Sequence, residues 1–159
     1  MFKFQIKKVI VVLASSLALL LLAASAFAQG AQVTRGGFHT YASGPALGYE
    51  VSGQAQMVRT ADGKTIVQVY LSGLHSHVTY GAHVHNLPCS VNSGGGHYQH
   101  IVGGPVDAVN EIWPGFTTNA AGNGNGNATN DFIARPEAQS VVIHDPDAGN
   151  ARIACADLQ

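Results

Sequence analysis

One stretch predicts the fold class: Val51-Ser-Gly-Gln-Ala-Gln-Met-Val58, the turn Ala61-Asp-Gly-Lys64, and Thr65-Ile-Val-Gln-Val-Tyr-Leu71. Apolar and polar side chains alternate on both sides of an Asp-Gly turn, which is typical of a half-buried β-hairpin. Five further segments have strand character, and none after residue 28 repeats apolar residues with the period of a helix. These segments are 33–41, 82–86, 128–134, 140–144 and 151–157. The sequence therefore predicts an all-β domain.

Two stretches are predicted to be loops. Residues 88–114 form the longer one, and a loop of that length is usually functional or tied down. The Gly/Asn run Ala121-Gly-Asn-Gly-Asn-Gly-Asn127 is predicted to be a flexible turn with no chemistry of its own.

The N-terminal residues are typical of a signal peptide. Three lysines precede the apolar run 9–22, and Ala26-Phe-Ala28 is a small-residue cleavage signal. We therefore expect residues 1–28 to be removed and residues 29–159 to form one exported domain, periplasmic or secreted. The apolar run is too short for a comfortable membrane span, and no second run follows it, so no membrane partner is expected after cleavage.

Composition restricts the partners of the predicted mature chain. Of the eight lysines and arginines, three lie in the signal peptide, so five remain against nine acids, a net charge near −4 with histidine neutral. A nucleic-acid partner would require the opposite sign. All eight histidines lie in the mature part, and histidine is the commonest metal ligand in proteins. This excess of histidine favours a metal site.

Cys89 and Cys155 are the only cysteines. In an exported protein, two cysteines most simply form one disulfide, which here would close a long loop. The alternative, two thiolate ligands on a metal, competes with oxidation outside the cytoplasm.

Histidines in three segments indicate a transition-metal site. His83 and His85 are two residues apart in a predicted strand, so their side chains point to the same face. His97 lies in the long loop and His144 at the end of another predicted strand. The remaining histidines are expected to be surface or core residues, although His75 and His77 could form a second, weaker site or simply occupy a loop.

Several motifs resemble, in order, those of the Cu/Zn superoxide dismutases, over roughly residues 51–158. The resemblance implies a Greek-key β-sandwich or flattened barrel of about eight strands. It also implies that the two cysteines form the family's disulfide. The motifs are Gly73-Leu74, Gly81-Ala-His-Val-His85, Cys89, Gly95-Gly-His-Tyr98, Val141-Val-Ile-His144 and Gly149-Asn-Ala-Arg-Ile-Ala-Cys155.

The same resemblance assigns roles to individual residues. It implies that His83, His85 and His144 are copper ligands and that His97 is the histidine that bridges copper and zinc in the family. Arg152 corresponds to the arginine beside the copper that attracts and orients superoxide. Imidazole suits copper, and a guanidinium suits a small anionic substrate.

The chain departs from the family pattern in two ways, and both resemble the copper-only branch of that family. Val102 stands where a zinc-ligating histidine should precede Gly103-Gly-Pro105, and Glu111 and Pro114 occupy two other zinc positions. The channel loop is shortened to residues 145–151. Zinc is therefore doubtful, although His100 and Asp107 could rebuild an irregular zinc site.

In the copper-only branch a carboxylate supports the histidine that would otherwise bridge the metals. Glu111 is the candidate here, and the alternative is a solvent-facing loop acid. A carboxylate that accepts the far N–H of His97 would hold the tautomer and orientation of that ring.

These inferences predict an exported copper-dependent superoxide dismutase without zinc, like the copper-only branch, in which Arg152 and His97 act on superoxide. The main alternative is a non-catalytic periplasmic protein that binds or buffers copper on the same fold. A metal-free adhesion or structural sandwich is a third alternative. A blue-copper carrier is disfavoured because its ligand set requires a free thiolate. The sequence does not predict the oligomeric state.

Overall fold

Two antiparallel sheets make up the protein in the computed structural model, which describes residues 30–159. The predicted signal peptide, residues 1–28, lies outside the described residues. Between residues 30 and 159 no helix is long and apolar enough to cross a membrane. That range contains nine strands: β1 Gln32–Gly37, β2 His39–Thr40, β3 Ser52–Arg59, β4 Thr65–Ser72, β5 Thr79–His85, β6 Phe116–Thr117, β7 Gly124–Asn130, β8 Ser140–Asp145 and β9 Ala151–Asp157. Two 3₁₀ turns, Pro45–Leu47 and Asn92–Gly94, complete its regular structure.

The first sheet has the strand order β1-β3-β4-β7. Its centre is the predicted hairpin, in which β3 and β4 pair from Ser52 opposite Ser72 to Arg59 opposite Thr65. Val67 and Val69 are fully buried, whereas the alternate residues Ile66, Gln68 and Tyr70 face outward. The period-two pattern therefore sets which face of this sheet covers the core.

The second sheet has the order β2-β9-β8-β5-β6. One apolar core lies between the two sheets, and it includes Met57 from the first sheet and Val84, Val141 and Ile143 from the second. Neighbouring strands in each sheet are often distant in sequence, with connections that cross between sheets. The predicted all-β Greek-key sandwich is confirmed, and two of its nine strands are only two residues long.

The predicted strand 33–41 is divided between the two sheets. Residues of β1 pair with β3, but the chain then bends at Phe38, whose side chain is buried and whose N–H donates to Gly53 O at 2.9 Å. The next residues pair with β9, with His39 opposite Cys155. The division follows because burying Phe38 turns the chain from one layer to the other.

The prediction that the Gly/Asn run is a flexible turn is wrong for residues 124–127. They belong to β7, which ends at Asn130, so the predicted strand 128–134 is displaced by four residues. A Cβ on Gly126 would lie 2.2 Å from Pro114 O, and one on Gly124 would lie 2.3 Å from Phe116 Cδ2. These glycines therefore let residues 114–116 lie directly against the strand.

The long loop covers the outer face of the second sheet. The Cys89–Cys155 disulfide, with a Cα–Cα distance of 5.8 Å, joins this loop to β9 and confirms the predicted pairing. Asp157 Oδ1 accepts the N–H of Cys89 at 2.7 Å. Gly94 has a φ of +93°, and a Cβ there would lie 2.9 Å from Val142 Cγ2. The loop therefore rests on the sheet with no space between them.

Candidate metal centre

The second sheet brings three histidines onto its outer face. His83 and His85 alternate with the core residues Ala82 and Val84 along β5, so both point away from the core. Gly81 pairs with His144 of β8, which places the third ring beside the first two. The alternation of β5 thus produces the shared face that the sequence predicted.

The long loop supplies the fourth histidine. Asn86 donates its N–H to Gly96 O at 2.9 Å, and Tyr98 donates to Val84 O at 2.8 Å, so residues 96–98 extend the sheet along β5. His97 therefore faces His85 across an isolated bridge, and its ring stacks on that of His83 with 4.1 Å between ring centroids.

Ring nitrogens of the four histidines converge on one point. One nitrogen from each of His83, His85, His97 and His144 lies within 4.8 Å of the other three. His85 is fully buried and His144 is nearly so, whereas His83 and His97 are half-buried. The group is therefore open to solvent on one side and enclosed on the other.

Hydrogen bonds to Nδ1 orient three of the rings. The Nδ1 of His85 lies 3.2 Å from Gly95 O, and that of His144 lies 3.1 Å from Asn150 O. A carbonyl oxygen only accepts hydrogen bonds, so both Nδ1 atoms carry the proton in the neutral ring and leave a lone pair on Nε2. These two Nε2 atoms are 3.3 Å apart. Two lone pairs at that distance repel each other, and a metal ion or a shared proton would relieve the repulsion.

His83 presents its other nitrogen. Its Nδ1 is buried without a hydrogen-bond partner, which costs free energy unless a metal or proton satisfies it. Burial, followed by the charges of His97 and His144, lowers the pKa of His83 to about 3. Burial is also the largest cause that lowers the pKa of His85 to about 3. Both rings are therefore neutral at pH 7, which is the form that binds metal.

The donor set fits a transition-metal ion. Four imidazoles, one with an unpartnered buried Nδ1 and three with Nδ1 hydrogen-bonded to an oxygen, offer nitrogen ligands of intermediate softness. Copper, zinc, nickel and iron all accept such ligands, so the geometry establishes a metal-binding group without selecting the metal.

Glu111 fixes the orientation of His97. Its Oε2 accepts a hydrogen bond from His97 Nδ1 at 2.7 Å, as the sequence predicted. The side chain is 1% exposed, so the predicted alternative of a solvent-facing loop acid is wrong. Burial raises the pKa of Glu111, but hydrogen bonds from Trp113, His97 and Gln99 outweigh it and hold the pKa below its usual value. The carboxylate is therefore ionised beside the ring.

Two partners of Glu111 were missed by sequence reasoning. Trp113 donates its Nε1–H to Glu111 Oε2 at 2.8 Å, and Gln99 donates to Oε1 at 3.1 Å. The Trp113 ring also packs edge-on against His83, with 5.5 Å between ring centroids. The one available signal was that the single tryptophan of the chain stands two residues after Glu111.

Arg152 lies beside the histidine group. It pairs with His144 across β8 and β9, and its positive charge contributes to lowering the pKa values of His85 and His144. Its Nη1 donates to Asn92 O and Ser93 O, both at 2.9 Å. These two carbonyls hold the guanidinium while leaving it partly exposed. Arg152 therefore supplies a positive charge, held by two carbonyls, close enough to act on His85 and His144.

Comparison with known proteins identifies the fold. Neither a protein-family model nor a curated protein sequence matches the chain. Among solved structures, a point mutant of superoxide dismutase 5 from Candida albicans is similar, with a TM-score of 0.60 and 16% sequence identity. The similarity covers 82% of this chain and 92% of that one. This chain has a superoxide dismutase-like fold.

Within the dismutase-like fold, His100 and Asp107 lie outside the four-histidine group. The His100 ring stacks on Phe132, with 4.1 Å between ring centroids. Asp107 Oδ1 accepts the backbone N–H groups of Val109 and Asn110, and its carbonyl accepts that of Glu111. Asp107 thus shapes the turn that positions Glu111, and the structure does not bring it together with His100.

The other histidines of the dismutase-like domain are exposed. His75 stacks on Tyr49 with 4.3 Å between ring centroids, and His77 follows in a left-handed conformation with a φ of +59°. Both lie in the loop between β4 and β5. His39, on β2, packs edge-on against Tyr41, which directly follows that strand. Within residues 30–159, none of the three belongs to a group of metal-ligating side chains.

Proposed function

We propose that the protein is an exported, copper-dependent superoxide dismutase that works without zinc. The observation that carries the proposal is the convergence of four imidazole rings, one of which is hydrogen-bonded to a buried carboxylate. The dismutase-like fold supports it, and the disulfide fits an oxidising compartment.

His83, His85, His97 and His144 would hold the copper. When bound, copper supplies a one-electron redox centre that accepts an electron from one superoxide and donates one to the next. The overall reaction oxidises one superoxide to dioxygen and reduces a second, with two protons, to hydrogen peroxide. The protein must therefore attract an anion and deliver protons.

Arg152 would attract and orient the anion. Its guanidinium is held by two backbone carbonyls, so it is preorganised and loses little freedom when an anion arrives. The shortened loop 145–151 contributes no lysine or arginine before Arg152. Steering would therefore depend mainly on Arg152 and the bound metal, against a net-negative domain.

His97 would move a proton at its Nε2. Its Nδ1 proton is committed to Glu111 at 2.7 Å, so a second proton could be accepted only at Nε2, and only while that nitrogen is not bound to copper. The charge of the resulting imidazolium would be balanced by the Glu111 carboxylate. Because Glu111 is itself held by Trp113 and Gln99, the ring can take up and release this proton without rotating away from the group.

The first experiment measures metal content and activity in protein purified from the oxidising compartment. We expect one copper and no zinc per chain, and dismutation well above the free-copper background. Copper-loaded protein with only background activity would contradict the proposal. One zinc per chain would instead indicate a two-metal enzyme.

The substitution Arg152→Ala separates catalysis from copper binding. We expect the dismutation rate to fall at least tenfold, because electrostatic attraction commonly raises association rates by 10–10³-fold. Copper affinity should change little, since the guanidinium bonds only to carbonyls. Arg35→Ala is the matched control, because this exposed arginine lies on the other sheet. Tight copper binding combined with no effect of Arg152→Ala would favour the copper-buffering role.

A further inference from the structure

The outer face of the first sheet carries an ordered array of amide side chains around one tyrosine. Outward residues of β3, β4 and β7 lie opposite each other in two adjacent rows. Cross-strand neighbours are about 5 Å apart and successive rows about 7 Å apart, so all six side chains share one surface. The first row is Gln54, Tyr70 and Asn125, and the second is Gln56, Gln68 and Asn127.

The Gly/Asn run builds one side of this array. In β7 the glycines face residues 114–116, where no Cβ would fit, so the asparagines between them point outward. A groove of about 280 Å³ follows this edge, and Gly115 and Gly126 leave it open beside the Tyr70 ring. The repetitive run therefore has a structural consequence: it places two amides and an open groove next to an exposed aromatic ring.

The array itself carries no charge, although Arg35 of β1 borders it and the next outward row, Val33, Val58 and Ile66, is apolar. Tyr70 is 56% exposed, and among the described residues that point outward from β3, β4 and β7, none carries a charge. On β1, Arg35 is already bonded to Gln56 Oε1 at 2.8 Å. A nucleic acid would require several cations, and a protein partner would usually require a larger apolar centre. The array therefore fits neither a nucleic-acid partner nor a typical protein partner.

We propose that this face is a docking surface for a neutral polysaccharide. Each amide offers one acceptor and two donor hydrogens, which match neighbouring sugar hydroxyls that both donate and accept. The exposed tyrosine ring offers a flat surface for the C–H face of a sugar, at low cost in conformational entropy. An array two strand spacings wide, bordered by a groove, suits an extended chain. The surface is on the opposite sheet from the histidines, so it does not depend on the proposed dismutase activity.

The test is affinity electrophoresis through gels that contain a soluble polysaccharide. The neutral probes are hydroxyethylcellulose, xyloglucan, galactomannan and glycol chitin, and alginate is the anionic comparison. We expect at least one neutral probe to retard the purified protein and alginate not to do so. We expect Tyr70→Ala to weaken binding by up to about tenfold, the size of one aromatic contact. Tyr70→Phe should retain most of the binding because it keeps the ring.

A second control addresses adsorption through exposed aliphatic residues. Val102 and Val109 are each 82% exposed in the loop between His97 and Glu111, so Val102→Ser/Val109→Ser should leave retardation unchanged. Amide shifts in an NMR titration with the retarding probe should be largest along β4 and β7. The proposal is overturned if no neutral probe retards the protein, if alginate alone does so, if Tyr70→Ala binds like wild type, or if the loop variant abolishes binding.

Discussion

At the residue scale, the decisive feature of the site is which nitrogen each histidine presents. His85 and His144 use Nδ1 on carbonyls, and His97 uses it on Glu111, whereas the Nδ1 of His83 is the unpartnered atom. The four rings therefore offer a mixed set of three Nε2 atoms and one Nδ1. Backbone carbonyls and one carboxylate impose this set before any metal binds.

Trp113→Phe tests the support of Glu111. The phenyl ring retains contact with His83 but cannot donate the hydrogen bond to Oε2. Loss of an outer partner typically costs 10–100-fold in metal affinity or activity, and with Gln99 and His97 still in place we expect about tenfold. Competition with a chromophoric chelator measures the affinity, and the copper EPR spectrum should change with it.

Tyr70→Phe is the matched control for Trp113→Phe. It also removes a polar atom from an exposed aromatic side chain, but on the other sheet. An unchanged EPR spectrum in Trp113→Phe would mean that the indole N–H does not orient the histidines and that Trp113 only packs against His83.

At the element scale, the glycines of β7 are required by residues 114–116, which pack directly against that strand. Gly126→Ala places a Cβ 2.2 Å from Pro114 O, so residues 114–116 must move. Overpacking of this kind typically costs about 1–3 kcal/mol, and we expect that loss in the free energy of unfolding. Asn125→Ala, on the outward face of the same strand, should cost less than about 0.5 kcal/mol. Equal losses measured by urea denaturation would contradict the close-approach explanation.

The long loop depends on its covalent attachment to β9. Cys89 and Cys155 are 66 residues apart, and a disulfide that closes a loop of this length contributes about 3–4 kcal/mol. Cys89→Ala/Cys155→Ala should therefore lower the free energy of unfolding by about that amount. A reductant should produce a similar loss in wild type and none in the variant. A loss below about 1 kcal/mol would show that packing of Gly94 on the sheet already holds the loop.

At the scale of the whole molecule, the two sheets present outer faces of different chemistry. The second sheet carries the histidines under a disulfide-bonded loop, and the first carries uncharged amides around Tyr70. Because one apolar core separates them, a change on one face should leave the other unaffected.

The proposed copper binding should stabilise the whole domain, since the four histidines come from β5, β8 and the long loop and converge only in the folded chain. At a free copper concentration 100 times the Kd, linkage predicts about 2.7 kcal/mol, or a rise in Tm of roughly 8–12 °C. Calorimetry measures this shift. His144→Ala should abolish most of it, and an equal shift with zinc alone would contradict the preference for copper.

Much of the fold and of the histidine group can be predicted from the local alternation of side chains. The alternation in 51–71 predicts a hairpin and that in 81–85 predicts two histidines on one face, because strand side chains alternate with period two wherever the strand lies. The order of the motifs also predicts the four histidines and the two cysteines, and Glu111 is predicted from its position after Gly103-Gly-Pro105. Tertiary structure alone decided that the Gly/Asn run is a strand, that Phe38 divides the first strand, that Asp107 shapes a turn and that Trp113 and Gln99 hold Glu111. Each of these depends on a contact between segments that local periodicity does not encode, so it exists only once the two sheets and the long loop are packed together.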